Sequence, residues 1–210
     1  GAAGQFGIYG TLLLAILLGF DIRQSAAIGV IGAIDGPTAI FVGSKLAPEL
    51  LAPIAVAAYS YMSLIPIIQP PIMKLLTTRK ERLIRMDYTP RPVSRLTLVM
   101  FPILVTAIVS LVAPDAAPLI ASLMLGNLLR ESLVVDRLSK AAQNEIINIA
   151  TLFLGLAIGA TMKAESFLNL DTLMILGLGL IAFVMDTVAG LLFGKLMSVM
   201  SKGKINPLIG

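Results

Sequence analysis

Long uncharged runs alternate along this chain with short polar connections. Residues 1 to 20, 24 to 44, 50 to 73, 96 to 114, 116 to 129, 146 to 162 and 172 to 194 carry few charges or none. A helix needs about 20 apolar residues to cross a bilayer, so the pattern predicts seven spans or partial spans. The runs are continuously apolar and lack the alternation of about ten-residue barrel strands. The expected fold class is therefore an all-α polytopic membrane protein. Asp35, Gly36 and Pro37 interrupt the second run, and residues 31 to 45 read as a helix broken within the membrane. Pro53, Pro66, Pro70 and Pro71 lie in the third, where the last three are expected to end the helix. The run 116 to 129 is short enough to be re-entrant or tilted, and "RESLVVDRLSKAAQNE" (130–145) reads as an amphipathic interfacial helix. The chain divides accordingly into first helices (1–73), a basic loop (74–95), further helices (96–194) and a terminal segment (195–210).

Composition agrees with a membrane setting. Of 210 residues 57% are hydrophobic and 13% charged, and the mean hydropathy of +0.93 is too high for a water-soluble surface. The absence of Cys and His removes disulfides, thiol nucleophiles, zinc clusters, Ser-His-Asp triads and haem ligation. Chemistry must come from carboxylates, hydroxyls, amides and backbone. A net charge of +4 does not point to nucleic acid, because seven of the sixteen Lys and Arg lie between Lys74 and Arg95, a loop signature. If that loop is cytoplasmic, alternate crossings place Arg130, Arg137 and Lys140 there too, and later Lys195, Lys202 and Lys204, as the positive-inside rule requires. The chain starts at Gly1 without Met and stops behind a basic stretch, and it reads as a piece of a longer protein.

Candidate chemistry begins at "IGAIDGPTAIFV". Asp35 lies mid-run, where an ionised carboxylate costs a few kcal/mol and has to be offset by a proton, a cation or a basic partner. Its own segment supplies no Lys or Arg. Gly36 and Pro37 are expected to unwind the helix and free carbonyls, and Thr38 adds a hydroxyl. Broken helices of this kind form midplane cation or proton sites in transporters. Tyr59, Ser60, Tyr61, Ser63 and Gln69 put further polar groups into the third run, with Tyr61 near its midpoint. Asp186 is a second acid inside a run, suited equally to a function and to capping or snorkelling. Asn148 and Thr151 supply oxygens at helical spacing, and the pairs Gly155/Gly159 and Gly190/Gly194 read as close helix packing.

The strings "IGAIDGPTAIFV", "PIAVAAYSYMSLIPIIQPPIMKLLTT", "RKERLIRM", "LMLGNLLRES" and "INPLIG" resemble the beta subunit of the biotin-dependent, sodium-pumping decarboxylases, across nearly all of the chain. The resemblance implies an inverted-repeat transporter-type fold with broken helices at the bilayer midplane. It implies a subunit that decarboxylates carboxybiotin, takes up a proton and exports sodium across a bacterial inner membrane. Implied partners are a carboxyltransferase alpha subunit, a biotin carrier, a small gamma or delta subunit and further copies of the chain. The family's key Asp falls on Asp35 and its key Tyr on Tyr61; its "NPLIG" motif falls on Asn206 to Gly210. Asp35, Thr38, Asn206 and Gly210 are thereby candidate sodium-binding residues, with Tyr61 and Asp35 as candidate catalytic ones. The Ser and Arg that the family carries after this motif lie past Gly210. "GAAGQFG" at the start resembles the glycine-rich stretch expected after "NPLIG", as an inverted repeat produces. Without the resemblance, the same features suit a plain secondary transporter; an intramembrane protease lacks its paired-aspartate or metal motif.

Overall fold

The computed structural model describes residues 3–86, 92–161 and 169–210. These residues form helices and connecting turns, with no strand among them. Among the described residues four helices are long and apolar enough to cross a membrane: Pro48–Leu76, Arg95–Val112, Asp136–Ala160 and Leu170–Met200. The chain divides into two compact units, Gly1–Asp87 with Thr161–Gly210, and Tyr88–Ala160.

The first unit is built around one helix, α10 (Leu170–Met200). Helices α1 (Phe6–Leu17) and α4 (Leu51–Leu76) pack on it, as do the tight turns Val30–Ala33 and Pro207–Ile209. The core is rich in small side chains: Ala15, Ala27, Ala39, Ala47, Ala57 and Ala58 pack with Ile28, Ile54 and Ile175. Lipid tails are as apolar as leucine, so helices in a bilayer gain by close backbone approach, which small residues allow. Gly7 and Gly10 of α1 face Asp186 and Met185 of α10 directly.

The second apolar run is two short helices. Asp21 and Gln24 form a capping box that starts α2 (Ile22–Gly29), which tightens into the turn Val30–Ala33. Ile34 then adopts left-handed dihedrals, φ 56 and ψ 34, and Asp35 is extended. A β-branched residue in that region is strained by about 1–3 kcal/mol. α3 (Gly36–Leu46) starts directly afterwards, with Pro37 in its first turn. The break therefore lies one step before the residues expected to cause it. Pro37 has no N–H to lose in a first turn, so it initiates α3 and does not unwind it. Gly36 is required by a neighbour: a Cβ there would stand 2.7 Å from the Tyr59 ring.

α4 runs through Pro66, Pro70 and Pro71 to Leu76 and does not end at them. Membrane helices tolerate such residues because neighbouring helices, Ser and Thr side chains and small local adjustments of the helix re-satisfy the freed carbonyls. Termination comes at Thr77, whose hydroxyl donates to the Met73 carbonyl while Arg82 donates to Thr77. A Thr78/Glu81 capping box then forms the single turn α5 (Arg79–Arg82).

The second unit begins with a hairpin of α6 (Arg95–Val112) and α7 (Ala117–Ser132). Arg95 at the start of α6 donates to the Ser132 carbonyl at the end of α7, 2.8 Å away, so α7 returns along the whole of α6. The run 116 to 129 is thus a full partner of α6. Residues 130–145 do not form a separate helix: Arg130 and Glu131 end α7, Leu133 turns left-handed at φ 57, and α8 (Asp136–Ala141) follows. A π-helical stretch, Ala142–Ile146, joins α8 to α9 (Ile147–Thr161). The helix continues through 145 by way of this π-helical turn, so the polar start and the apolar body belong to one rod. Among the described residues a Cβ on Gly155 or Gly159 would meet nothing within 4 Å.

Candidate functional site

Asp35 occupies the helix break as the N-cap of α3. Its Oδ1 accepts from the Thr38 N–H at 3.3 Å, and its Oδ2 accepts from the Thr38 hydroxyl. The carboxylate satisfies orphan donors of the first turn and lies at the positive end of α3. Asp35 is exposed in this chain, so its remaining acceptor directions are open. The two residues predicted to act together, Asp35 and Thr38, are therefore in contact.

Tyr61 is half-buried, with its ring on Gly179, where an added Cβ would lie 2.8 Å from the ring edge. Its hydroxyl donates to the Leu176 carbonyl at 2.5 Å. A mid-run phenol needs an acceptor, and a helix glycine leaves the room to reach one. Tyr59 uses a similar device on Gly36. Two tyrosines two residues apart on α4 are thus seated on glycines of α3 and α10.

Asn206 caps the terminal turn, its Oδ1 accepting from the Leu208 N–H at 3.0 Å. Its amide donates to the carbonyls of Arg82 (3.2 Å) and Ile84 (3.0 Å). This side chain ties the basic loop to the "NPLIG" turn, and a Lys195–Glu81 ion pair at 3.4 Å adds to the tie. Hydrogen bonds from the Thr78 backbone and hydroxyl hold the Glu81 carboxyl below its ordinary range, with the Lys195 ammonium contributing in the same direction. Gly210 packs on the backbone of Gly190, and Pro207 on Gly194, so this glycine pair makes the close approach expected of it, with a tight turn as its partner.

Asp186 is buried, at 3% exposure, and its Oδ1 accepts from the Gly7 N–H at 2.5 Å. It lines a cleft of about 330 Å³ together with Ile34, Gln69, Thr187, Gly190 and Gly210. The cleft brings the helix break and the terminal motif together through Ile34 and Gly210. From sequence, Asp186 suits a function and capping or snorkelling equally. The available signal was the spacing of Gly7 and Gly10, which marks one face of α1 for close approach. Asn148 and Thr151 are both exposed on α9.

Comparison with known proteins supplies what geometry alone does not. The chain matches the family described as Na+-transporting oxaloacetate decarboxylase beta subunit over residues 1–210. It is 55% identical to the methylmalonyl-CoA decarboxylase subunit beta of Veillonella parvula, over 100% of this chain and 56% of that protein. It is 56% identical to the oxaloacetate decarboxylase beta chain of Klebsiella pneumoniae, over 100% of this chain and 50% of that one. The glutaconyl-CoA decarboxylase subunit beta of Acidaminococcus fermentans is 55% identical, with 100% and 56% covered. The chain therefore spans about half the length of the curated relatives it matches. With a family match that is unbroken from end to end and several helices of membrane-spanning length, the chain belongs to the Na+-transporting oxaloacetate decarboxylase beta subunit family.

Proposed function

We propose that the protein containing this chain decarboxylates carboxybiotin in a bacterial inner membrane and couples the reaction to sodium export. The family match over all 210 residues carries this reading. Carboxybiotin is the substrate, presented by a biotin carrier that a carboxyltransferase alpha subunit charges. A small gamma or delta subunit and further copies of the chain complete the assembly, and the basic loop 74–95 faces the cytoplasm.

In the reaction the bond between the biotin nitrogen and the carboxylate carbon breaks. Carbon dioxide leaves, and the electron pair stays on nitrogen, which takes up a proton. Stripping water from the carboxylate and supplying that proton both favour the step. Tyr61 is the proposed donor or relay: its O–H lies in the membrane-spanning part of α4 and needs only to exchange the Leu176 carbonyl for the reacting nitrogen. Asp35 is the proposed sodium ligand, with oxygens from Thr38, Asn206 and Gly210 as partners. The Asp35–Thr38 contact supports this assignment, since a hard cation is held by carboxylate, hydroxyl and carbonyl oxygens. Asn206 would have to share its Oδ1 with the Leu208 N–H.

The test is sodium-dependent carbon dioxide release by the full complex. Asp35→Asn keeps the helix cap and is expected to abolish both the rate and its sodium dependence. Tyr61→Phe is expected to lower the rate at least 100-fold with sodium binding retained. An Asp35→Asn complex with normal rate and sodium response removes the role of Asp35, and a near-normal Tyr61→Phe rate removes that of Tyr61.

A further inference from the structure

Asp186 is a buried acid lining the first unit's cleft, and the roles given to Asp35 and Tyr61 leave it unused. Its Oδ1 accepts from the Gly7 N–H, while its Oδ2 is buried with no hydrogen-bond partner among the described residues. None of the ion pairs among those residues involves it. A buried carboxylate without a cation is costly, and a buried carboxylic acid without an acceptor leaves its O–H unpaired. Either form calls for something at Oδ2 that the described residues do not supply.

The surroundings are shaped around this group. A Cβ on Gly7 would collide with Oδ1 and Cγ, and a Cβ on Gly32 would stand 3.0 Å from Oδ2. Space has been cleared on two different elements for one carboxyl. An amide would accept the Gly7 N–H equally well, so this hydrogen bond alone does not call for an acid. Residues that carry side-chain oxygens line the same cleft, Gln69 with an amide and Thr187 with a hydroxyl. Thr187 spends its proton on the Phe183 carbonyl at 2.9 Å, which keeps its lone pairs available. Among the described residues Asp186 is the only titratable one lining the cleft. Ile34, held in strained left-handed backbone, joins the cleft to the helix break.

We propose that Asp186 is a second intramembrane ion-binding group, separate from Asp35, whose carboxyl exchanges its proton for sodium in this cleft. The exchange balances: one proton leaves the carboxyl as one monovalent cation arrives. The choice of sodium rests on the proposed sodium-pumping function, whereas the exchangeable carboxyl rests on the geometry.

Equilibrium binding of radioactive sodium to the whole complex tests this without reliance on turnover. Asp186→Asn keeps size and the Gly7 contact, and is expected to lose about half of the sodium bound per beta subunit and to flatten the sodium activation curve. Unchanged stoichiometry and affinity overturn the proposal. A second measurement uses the wild-type complex, in case the variant does not assemble: labelling of Asp186 by a hydrophobic carbodiimide, read by mass spectrometry. Labelling in choline that falls at least fivefold in sodium supports the exchange. Equal labelling in both salts, or none in choline, overturns it. A wild-type complex without sodium-stimulated carbon dioxide release defeats the proposed function; normal stimulation with Asp186→Asn unaltered defeats only this inference.

Discussion

Replacing Gly179 by alanine tests how α10 holds Tyr61. The new Cβ would lie 2.8 Å from the tyrosine Cε2 and 3.2 Å from Ile31 Cγ2, where ordinary contact begins at 3.4 Å. The ring has to retreat by about 0.6 Å, and overpacking of this kind costs about 1–3 kcal/mol. Retreat also stretches the 2.5 Å bond from the tyrosine hydroxyl to the Leu176 carbonyl, and a lost hydrogen bond adds about 0.5–1.5 kcal/mol. Against this, alanine gains about 1 kcal/mol of helix propensity over glycine. The net expectation is a loss of about 1–3 kcal/mol. Gly177→Ala, two residues away on the same helix, is the control: nothing lies within 4 Å of its added Cβ. It should be neutral, or stabilising by up to about 1 kcal/mol. The assay is detergent-denaturation midpoints of the complex for both variants, each also in a Tyr61→Leu background. Contacting residues couple by about 0.5–3 kcal/mol, so Gly179→Ala should become cheap once the ring is gone. An equal cost in the two backgrounds would refute the claim that Gly179 exists to seat Tyr61.

Three further predictions address other parts of the first unit. Asn206→Ala removes two hydrogen bonds to the loop carbonyls of Arg82 and Ile84; at about 0.5–1.5 kcal/mol each, trypsin cleavage after Arg82 and Arg85 should rise roughly tenfold or more, and an unchanged rate argues against the tie. Because the folded pKa of Glu81 lies below its ordinary 4.5, the capping box at Thr78 is fully stabilised above that pH and is lost as pH falls through the lower folded value; chemical-shift titration of the Thr78 and Glu81 amides should show a midpoint below 4.5, and a midpoint at or above it refutes the assignment. Ile34→Gly removes left-handed strain of about 1–2 kcal/mol, offsetting its lost contacts, whereas Ile31→Gly empties a buried site of 3% exposure; thermal midpoints should therefore fall much further for Ile31→Gly, and equal losses count against strain at Ile34.

Helix content was legible because it depends on properties of one segment at a time. Each of the seven apolar runs becomes helix, and the break in the second run was visible from Asp35, Gly36 and Pro37. What each residue does at the break was not. Pro37 starts a helix and Gly36 makes room for Tyr59, a residue 23 positions further along the chain. Likewise α4 continues through three prolines, because the cost of a missing N–H depends on what surrounds the freed carbonyl. The candidate site divides in the same way. Asp35 with Thr38 is a local cap that spacing reveals, whereas the Asn206 contacts to Arg82 and Ile84 cross more than 120 positions.

By itself the sequence determined that this chain lives in a membrane, that it is helical, where its basic loop lies and which acids sit within apolar runs. Those properties follow from transfer free energies and backbone periodicity, which are additive and local. Only the tertiary structure decided which acid is enclosed. Asp35 ends exposed at a cap, while Asp186 is buried against Gly7, 179 positions away, because small residues on α1 and α10 let two backbones meet there. Burial of a charge is a property of the neighbours that fold brings to it, and no window along the chain contains them.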